Sequence, residues 1–144
     1  MRKITRIFIH CTAGGQKQTV DDLRAEFKRK GWKNPGYHYV VDANGLVYRL
    51  LDDAKVANGV YGYNQNSIHM AYMGGIDAKG KAVDNRTPEQ REALRLMVEE
   101  LKQKYPEAEV LGHRDISPDK NGNGIVDPWE RIKECPCFDV ATEL

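Results

Sequence analysis

The chain has few cysteines, no long apolar run and almost no charge imbalance, and each shortage argues against a class of protein. Three cysteines in 144 residues are an odd number, which argues against a disulfide framework. The apolar stretches are far too short for a membrane span. With 22 Lys and Arg against 21 Asp and Glu, the net charge is +1, and no basic run indicates nucleic-acid binding. We therefore expect one monomeric domain with its own core and with neither nucleic-acid nor membrane partners.

The start of the chain, MRKITRIFIHCTAGG, has basic residues followed by a short apolar run, as a secretory signal peptide has. Arg6 interrupts that run and His10 ends it. We therefore interpret residues 4–11 as a first strand, buried on both faces, and see no signal peptide.

Apolar periodicity predicts alternating strands and helices in the rest of the chain. Further strands are expected at residues 37–41, 46–51, 68–73 and 110–112, and helices at residues 19–30, from 88 to about 104, and from about 128. Asn44-Gly45 is a hairpin signal, and Thr19 with Asp22 forms a helix capping box. This mixture predicts the α/β class, as a single domain with a central mixed β-sheet flanked by helices.

His10 and His113 each end a predicted strand, where the rim of a sheet presents side chains to a cleft. A histidine in such a place is more often a local hydrogen-bonding residue than a ligand. Cys135 adds a thiolate, and zinc binds both imidazole and thiolate, with three protein ligands and an open fourth position in catalytic sites. The three residues lie far apart in the sequence, so spacing alone leaves both interpretations open.

A calcium-loop pattern occupies residues 119–130, within the stretch SPDKNGNGIVDPWERIKECPC. The EF-hand template places oxygen ligands at fixed spacing, with a glycine at the sharp turn and a bidentate glutamate at the end. The residues expected to hold calcium are Asp119, Asn121, Asn123, Ile125 through its carbonyl, Asp127 and Glu130. Pro118 disfavours an entering helix, so an ordinary Asn/Gly turn with a helix cap is the alternative. We favour a structural calcium ion.

Seven motifs follow one another along the chain: FIHCTAG, GWKNPGYHYVVDANG, GYNQNSI, GGIDAKGK, TPEQ, LGHRDISP and KECPCFD. In their order and joint coverage they resemble the zinc-dependent N-acetylmuramoyl-L-alanine amidases of the phage T7 lysozyme type, which are related to the peptidoglycan recognition proteins. The resemblance implies a single amidase domain over residues 1–144, with a zinc site in a cleft at the sheet rim. Residues 117–131, the calcium-loop-like stretch, are then an insertion relative to the compact phage members.

The resemblance also implies the roles of individual residues: zinc ligands His10, His113 and Cys135, and catalytic residues Tyr37 and Lys133. The implied reaction is zinc-dependent hydrolysis of the amide between N-acetylmuramic acid and L-alanine in peptidoglycan, by a water whose pKa zinc lowers to about 7. A phenol with an ordinary pKa of about 10 is a poor base at neutral pH. We therefore expect Tyr37 to orient the water or hydrogen-bond the reacting oxygen, and Lys133 to stabilise the oxyanion.

The remaining cysteines and one histidine are expected to be structural. Cys11 follows His10 directly, so strand alternation points it to the opposite face and into the core. Cys137 falls where the family can carry serine, which favours a small buried residue, with an exchange of roles with the ligand cysteine as the alternative. His38 follows the catalytic tyrosine and is expected to be packed or hydrogen-bonded.

The stretch NGVYGYNQNSIH is expected to line the substrate groove, with a polar turn-rich loop as the alternative. The candidate substrate-binding residues are Tyr61, Tyr63, Asn64 and Asn66. Two positions depart from the family pattern. Gly59 stands where members often carry a histidine, and His69 stands where a glycine is common. Both bear on the shape of the groove, and neither is a zinc ligand.

The sequence is also compatible with two other functions. A non-catalytic peptidoglycan-binding module is the first, although members of that kind typically lack the zinc cysteine that Cys135 provides here. A calcium-regulated binding protein is the second, which a lone half EF-hand disfavours because sensors open a pair of helices. With no signal peptide visible, an amidase would reach the cell wall after lysis-type release or by another export route.

Overall fold

The computed structural model describes residues 3–60, 63–116, 136–138 and 140, and within these ranges five strands and two helices form. The strands are β1 (Arg6–Cys11), β2 (Tyr39–Val41), β3 (Val47–Arg49), β4 (Ser67–Tyr72) and β5 (Glu109–Gly112). The helices are α1 (Val20–Arg29) and α2 (Pro88–Lys104). Each strand and helix predicted in this part of the chain is present, with ends shifted by up to two residues.

The sheet is mixed and has the strand order β3-β2-β4-β1-β5. The central strand β1 pairs in parallel with β4 and β5, and β2 pairs in parallel with β4. Among the described strands only the edge strand β3 is antiparallel, because it follows β2 through the Asn44-Gly45 hairpin, where Gly45 has a φ of 85°. Four parallel strands therefore end at one edge of the sheet, which is where open α/β sheets place their sites.

The two helices cover opposite faces of the sheet, as the predicted fold class requires. On the α1 face, Leu23 and Phe27 pack with Val40, Leu50, Ala71 and Met73. On the α2 face, Leu94, Val98 and Leu101 join a larger cluster that includes Ile7, Ile9, Met70 and Tyr72. Strand β1 is buried on both faces, as predicted, with Ile7, Phe8 and Ile9 fully inaccessible to solvent.

Capping residues explain where the two helices begin. Thr19 and Asp22 form the predicted capping box of α1, with the Thr19 hydroxyl accepting from the Asp22 amide at 3.1 Å. Thr87 and Gln90 form a second box at α2, where Pro88 occupies the first turn. The buried Gln90 amide also donates to the Met73 carbonyl at 2.9 Å, which fixes the start of α2 against the end of β4. Within the described ranges, neither helix is long and apolar enough to cross a membrane.

Candidate active site

Two histidines meet at the carboxyl edge of the parallel strands. In the β1–β5 register Ile9 lies opposite Gly112, so the residues that follow them, His10 and His113, are neighbours. Their ring centroids are 5.1 Å apart. His113 begins a 3-10 turn, and the Asp115 carboxylate accepts the Gly112 amide at 2.7 Å, which holds that turn at the strand end. The structure therefore brings together the two histidines that the sequence places 103 positions apart.

His10 is buried in a neutral form. Burial lowers its pKa well below the ordinary value, and the nearby His69 and His113 lower it further. Only 1% of the residue is exposed. A neutral imidazole at pH 7 has a lone pair available to a metal, so the electrostatics of His10 suit a ligand better than a charged surface group.

Tyr37 lies beside His10 at the same edge. The ring centroids of Tyr37 and His10 are 5.3 Å apart, and the Tyr37 hydroxyl donates to the Cys11 carbonyl at 3.3 Å. The Tyr37 ring also meets Phe27 of α1 edge-on, with centroids 5.7 Å apart. These contacts hold the phenol over the end of β1 while leaving it partly exposed.

A cleft of about 530 Å³ opens at this edge. Its lining includes His113, Tyr37, Asn64 and Asn58, together with Phe27, Glu26, Lys30 and Trp32 from α1 and the turn after it. A second cavity, of about 590 Å³, lies at the start of α1 against the β2–β3 hairpin, and the described residues lining it include no histidine or cysteine. We therefore take the cleft that contains His113 as the candidate site.

One wall of the cleft is aromatic, and this wall was not predicted from the sequence. Trp32 stacks on Phe27 with centroids 5.6 Å apart, and the Lys30 ammonium lies 4.8 Å from the Trp32 ring centroid. Lys30 also pairs with Glu26 at 3.4 Å. The sequence signal that could have indicated this wall is Trp32, an exposed aromatic residue that lies between a glycine and a lysine after the end of α1.

The predicted substrate-binding residues do not all lie in the cleft as described. Asn64 lines it. Tyr63 instead packs edge-on against Phe8, and Asn66 donates its side-chain amide to the backbone before β1, toward the other end of the sheet. Tyr61 lies outside the described residues. Substrate binding by these four residues stays a prediction.

The two described cysteines belong to the α2-side core. Cys11 is 5% exposed and joins Ile7 and Ile9 in that core, which confirms that it faces away from His10. Cys137 is partly buried against the same core, and its thiol donates to the Gly75 carbonyl at 3.5 Å. This is the packing role favoured for Cys137.

The four histidines of the chain form one continuous series. His38 accepts the His69 backbone amide on Nδ1 at 3.0 Å and contacts the Lys55 carbonyl through Nε2 at 2.8 Å. His69 Nδ1 lies 2.9 Å from His10 Nε2, and His10 neighbours His113. The expectation of a hydrogen-bonded His38 is confirmed. The link through His69 was not predicted.

Several predicted residues fall outside the described ranges. They are the predicted zinc ligand Cys135, the predicted catalytic residue Lys133, and the predicted calcium ligands Asp119, Asn121, Asn123, Ile125, Asp127 and Glu130. Among the described residues, no group of three or more His, Cys, Asp or Glu side chains is arranged to hold a metal. The zinc and calcium assignments therefore stay predictions, as does the 117–131 insertion.

Pro136, the residue after Cys135, packs at the same edge of the sheet. A Cβ on Gly112 would lie only 2.8 Å from the Pro136 ring, so the absence of a side chain at Gly112 permits this approach. The Tyr72 hydroxyl donates to the Pro136 carbonyl at 2.6 Å. The strand end that carries His113 is thus in contact with the segment that follows Cys135.

Comparison with known proteins agrees with this architecture. The model of the N-acetylmuramoyl-L-alanine amidase family matches residues 1–130. The endolysin of Klebsiella phage KP32 is 36% identical over 96% of this chain and 84% of its own length. The endolysin of Escherichia phage T7 is 35% identical over 93% of this chain and 81% of its own length. Drosophila PGRP-LB, at 18% identity, shares the fold with a TM-score of 0.70 over 94% of this chain and 76% of its own.

The chain is therefore an α/β protein with a cleft, lined in part by His113, at the carboxyl edge of its parallel strands. It belongs to the N-acetylmuramoyl-L-alanine amidase family. This confirms the family resemblance and the predicted fold class.

Proposed function

We propose that the protein is a zinc-dependent amidase that hydrolyses the bond between N-acetylmuramic acid and L-alanine in peptidoglycan. The observation that carries the proposal is the pairing of His10 with His113, 5.1 Å apart between ring centroids, beside an open cleft that also holds Tyr37. Family membership supports the same reaction.

The described donors fit a zinc ion. Two imidazoles converge at the strand ends, and burial keeps His10 neutral, which is the form that binds metal. Zinc sites commonly complete such a pair with a thiolate. The proposed third ligand is Cys135. The contacts of Pro136 with Gly112 and Tyr72 support it, because Pro136 follows Cys135 directly in the chain.

The zinc ion would supply a water with a pKa near 7 as the nucleophile. In the proposed reaction the Tyr37 hydroxyl orients that water or hydrogen-bonds the reacting carbonyl oxygen, because it is held over the end of β1 beside His10. Lys133 is proposed to stabilise the negative charge that develops on that oxygen. The aromatic wall formed by Trp32 and Phe27 offers apolar faces against which a sugar or a stem peptide can pack.

A non-catalytic peptidoglycan-binding module is the second candidate, since a Drosophila peptidoglycan recognition protein, PGRP-SD, shares the fold. Cys135 favours the enzyme over the module, because a zinc site that lacks its thiolate loses one of three protein ligands. Only the enzyme releases stem peptide with a free L-alanine amino group, so this product distinguishes the two functions.

The test compares two cysteine variants on purified peptidoglycan. Cys135→Ser is expected to lose zinc and amide cleavage together, whereas Cys137→Ser is expected to keep both, because Cys137 packs against the core. Zinc is measured by atomic emission on the purified protein, and cleavage by mass spectrometry of the released peptides.

Full zinc content and activity in Cys135→Ser, with loss in Cys137→Ser, would exchange the roles of the two cysteines. A wild type that binds peptidoglycan without releasing stem peptide would instead support the recognition module.

A further inference from the structure

His69 contacts the candidate zinc ligand His10 from deep inside the sheet. The residue is fully buried on β4, and its Nδ1 lies 2.9 Å from His10 Nε2. Two imidazole nitrogens at this distance share one proton, which one ring donates and the other accepts. The contact therefore constrains which nitrogen of His10 carries the proton.

The slot that holds His69, formed by Phe8, His38 and Gly59, fits a flat aromatic ring. The His69 ring is nearly parallel to those of Phe8 and His38, with interplanar angles of 8° and 4°. On another side lies Gly59, where a Cβ would come within 2.5 Å of His69 Cγ and 2.7 Å of Cε1. Only a glycine leaves room for this ring. The two departures from the family pattern, Gly59 and His69, are therefore one structural feature.

His38 fixes the His69 backbone on the other side. Because His38 Nδ1 accepts the His69 amide, its proton lies on Nε2, which donates to the Lys55 carbonyl. Both nitrogens of His38 are thereby assigned, and the backbone position of His69 is set independently of the active site.

We propose that His69 is a positioning residue for His10, whose Nε2–H donates to His69 Nδ1. This bond would set the His10 tautomer and ring orientation and direct Nδ1 toward the metal. Hydrogen-bond partners of metal-ligating histidines act in this way, and losing one typically weakens metal binding or activity 10- to 100-fold. The inference rests on the proposed zinc function, because it assigns His10 as a ligand.

The experiment uses the full chain with three substitutions. His69→Leu fills the slot but removes the acceptor, whereas His69→Asn keeps an oxygen acceptor near the position of Nδ1. Val98→Ala, on the α2 face, serves as a control that lowers stability away from the site. Zinc affinity is measured by competition with a chromophoric chelator. The tautomers are read from long-range proton–nitrogen NMR of the four imidazoles, with and without zinc.

We expect His69→Leu to weaken zinc binding by about 10- to 100-fold, His69→Asn to recover most of that loss, and Val98→Ala to match the wild type. In the zinc-free wild type the His10 proton should be on Nε2, and in His69→Leu it should be divided between the two nitrogens. Unchanged zinc affinity in His69→Leu, or a wild-type His10 protonated on Nδ1, would overturn the positioning role.

A failure of the proposed function has a different signature. A wild type with no zinc affinity would overturn the zinc assignment. The NMR measurement on that same protein would still decide whether His69 sets the His10 tautomer. If His69→Leu does not fold, the zinc affinity of His69→Asn and the NMR spectrum of the wild type test the positioning role instead.

Discussion

Substituting Gly59 by alanine should test the contact between Gly59 and His69 directly. The new methyl carbon would lie 2.5 Å from His69 Cγ and 2.7 Å from Cε1, whereas carbon atoms normally pack at about 3.5–4.0 Å. The His69 ring must therefore shift, although Phe8 and His38 are stacked with it. The strain should appear as lost stability.

The magnitude follows from two opposing effects. Overpacking a filled site costs about 1–3 kcal/mol. Replacing glycine by alanine at a position with an ordinary φ restricts the unfolded chain and returns about 0.5 kcal/mol. Gly59→Ala should therefore destabilise the wild type by about 1–2 kcal/mol. In a His69→Ala background the clash is absent, and the same change should be neutral or stabilising.

The assay is urea unfolding of the wild type, both single variants and the double variant. We expect a coupling free energy of about 2 kcal/mol between the two positions, since contacting residues couple by roughly 0.5–3 kcal/mol. Free energies that add to within about 0.5 kcal/mol would contradict this prediction, because they would show that the His69 ring does not occupy the space beside Gly59.

Three further predictions concern the proposed catalytic tyrosine, a buried carboxylate and the proposed calcium loop. Tyr37→Phe should lower kcat about 100-fold or more with zinc content unchanged, because it removes a hydroxyl beside His10 but no ligand; wild-type kcat would exclude a catalytic role. Burial raises the pKa of Asp53, but hydrogen bonds from Tyr39, Lys104 and Tyr105 outweigh it and hold the pKa below its ordinary value. The carboxylate therefore adds stability above pH about 4 that is lost as the pH falls through its folded pKa. Asp53→Asn should cost about 2 kcal/mol at pH 7 and clearly less at pH 3 in urea unfolding, and an equal cost at both would refute this. Calcium should raise the melting temperature of the wild type but not of Glu130→Gln; no shift in the wild type would favour an ordinary turn.

Local signals in the sequence were enough to predict most of the fold. Helix α2 begins and ends at the predicted residues, because its capping residues and its buried apolar face all lie within one segment. The predicted strand at 46–51 shortens to Val47–Arg49, since an edge strand pairs on one side only. Where a strand ends thus depends on its pairing with the neighbouring strand. The apolar periodicity of a single segment carries no information about that pairing.

The candidate site, too, could be predicted from the sequence only in part. Because His10 and His113 end predicted strands, their meeting follows once β1 and β5 pair in parallel. The contact of His69 with His10 joins positions 59 residues apart and depends on the space left by Gly59. Neither residue signals this contact alone. In the sequence they are two unrelated departures, and only the packing shows that one accommodates the other.

Zinc-dependent cleavage of the muramoyl amide is tested most directly by measuring the release of L-alanine amino termini from purified peptidoglycan. The protein is assayed as prepared, after treatment with a chelator, and after zinc is restored. We predict that the release of free L-alanine amino groups stops on chelation and returns with zinc but not with calcium alone. Undiminished release from the chelated, zinc-free protein would contradict the account.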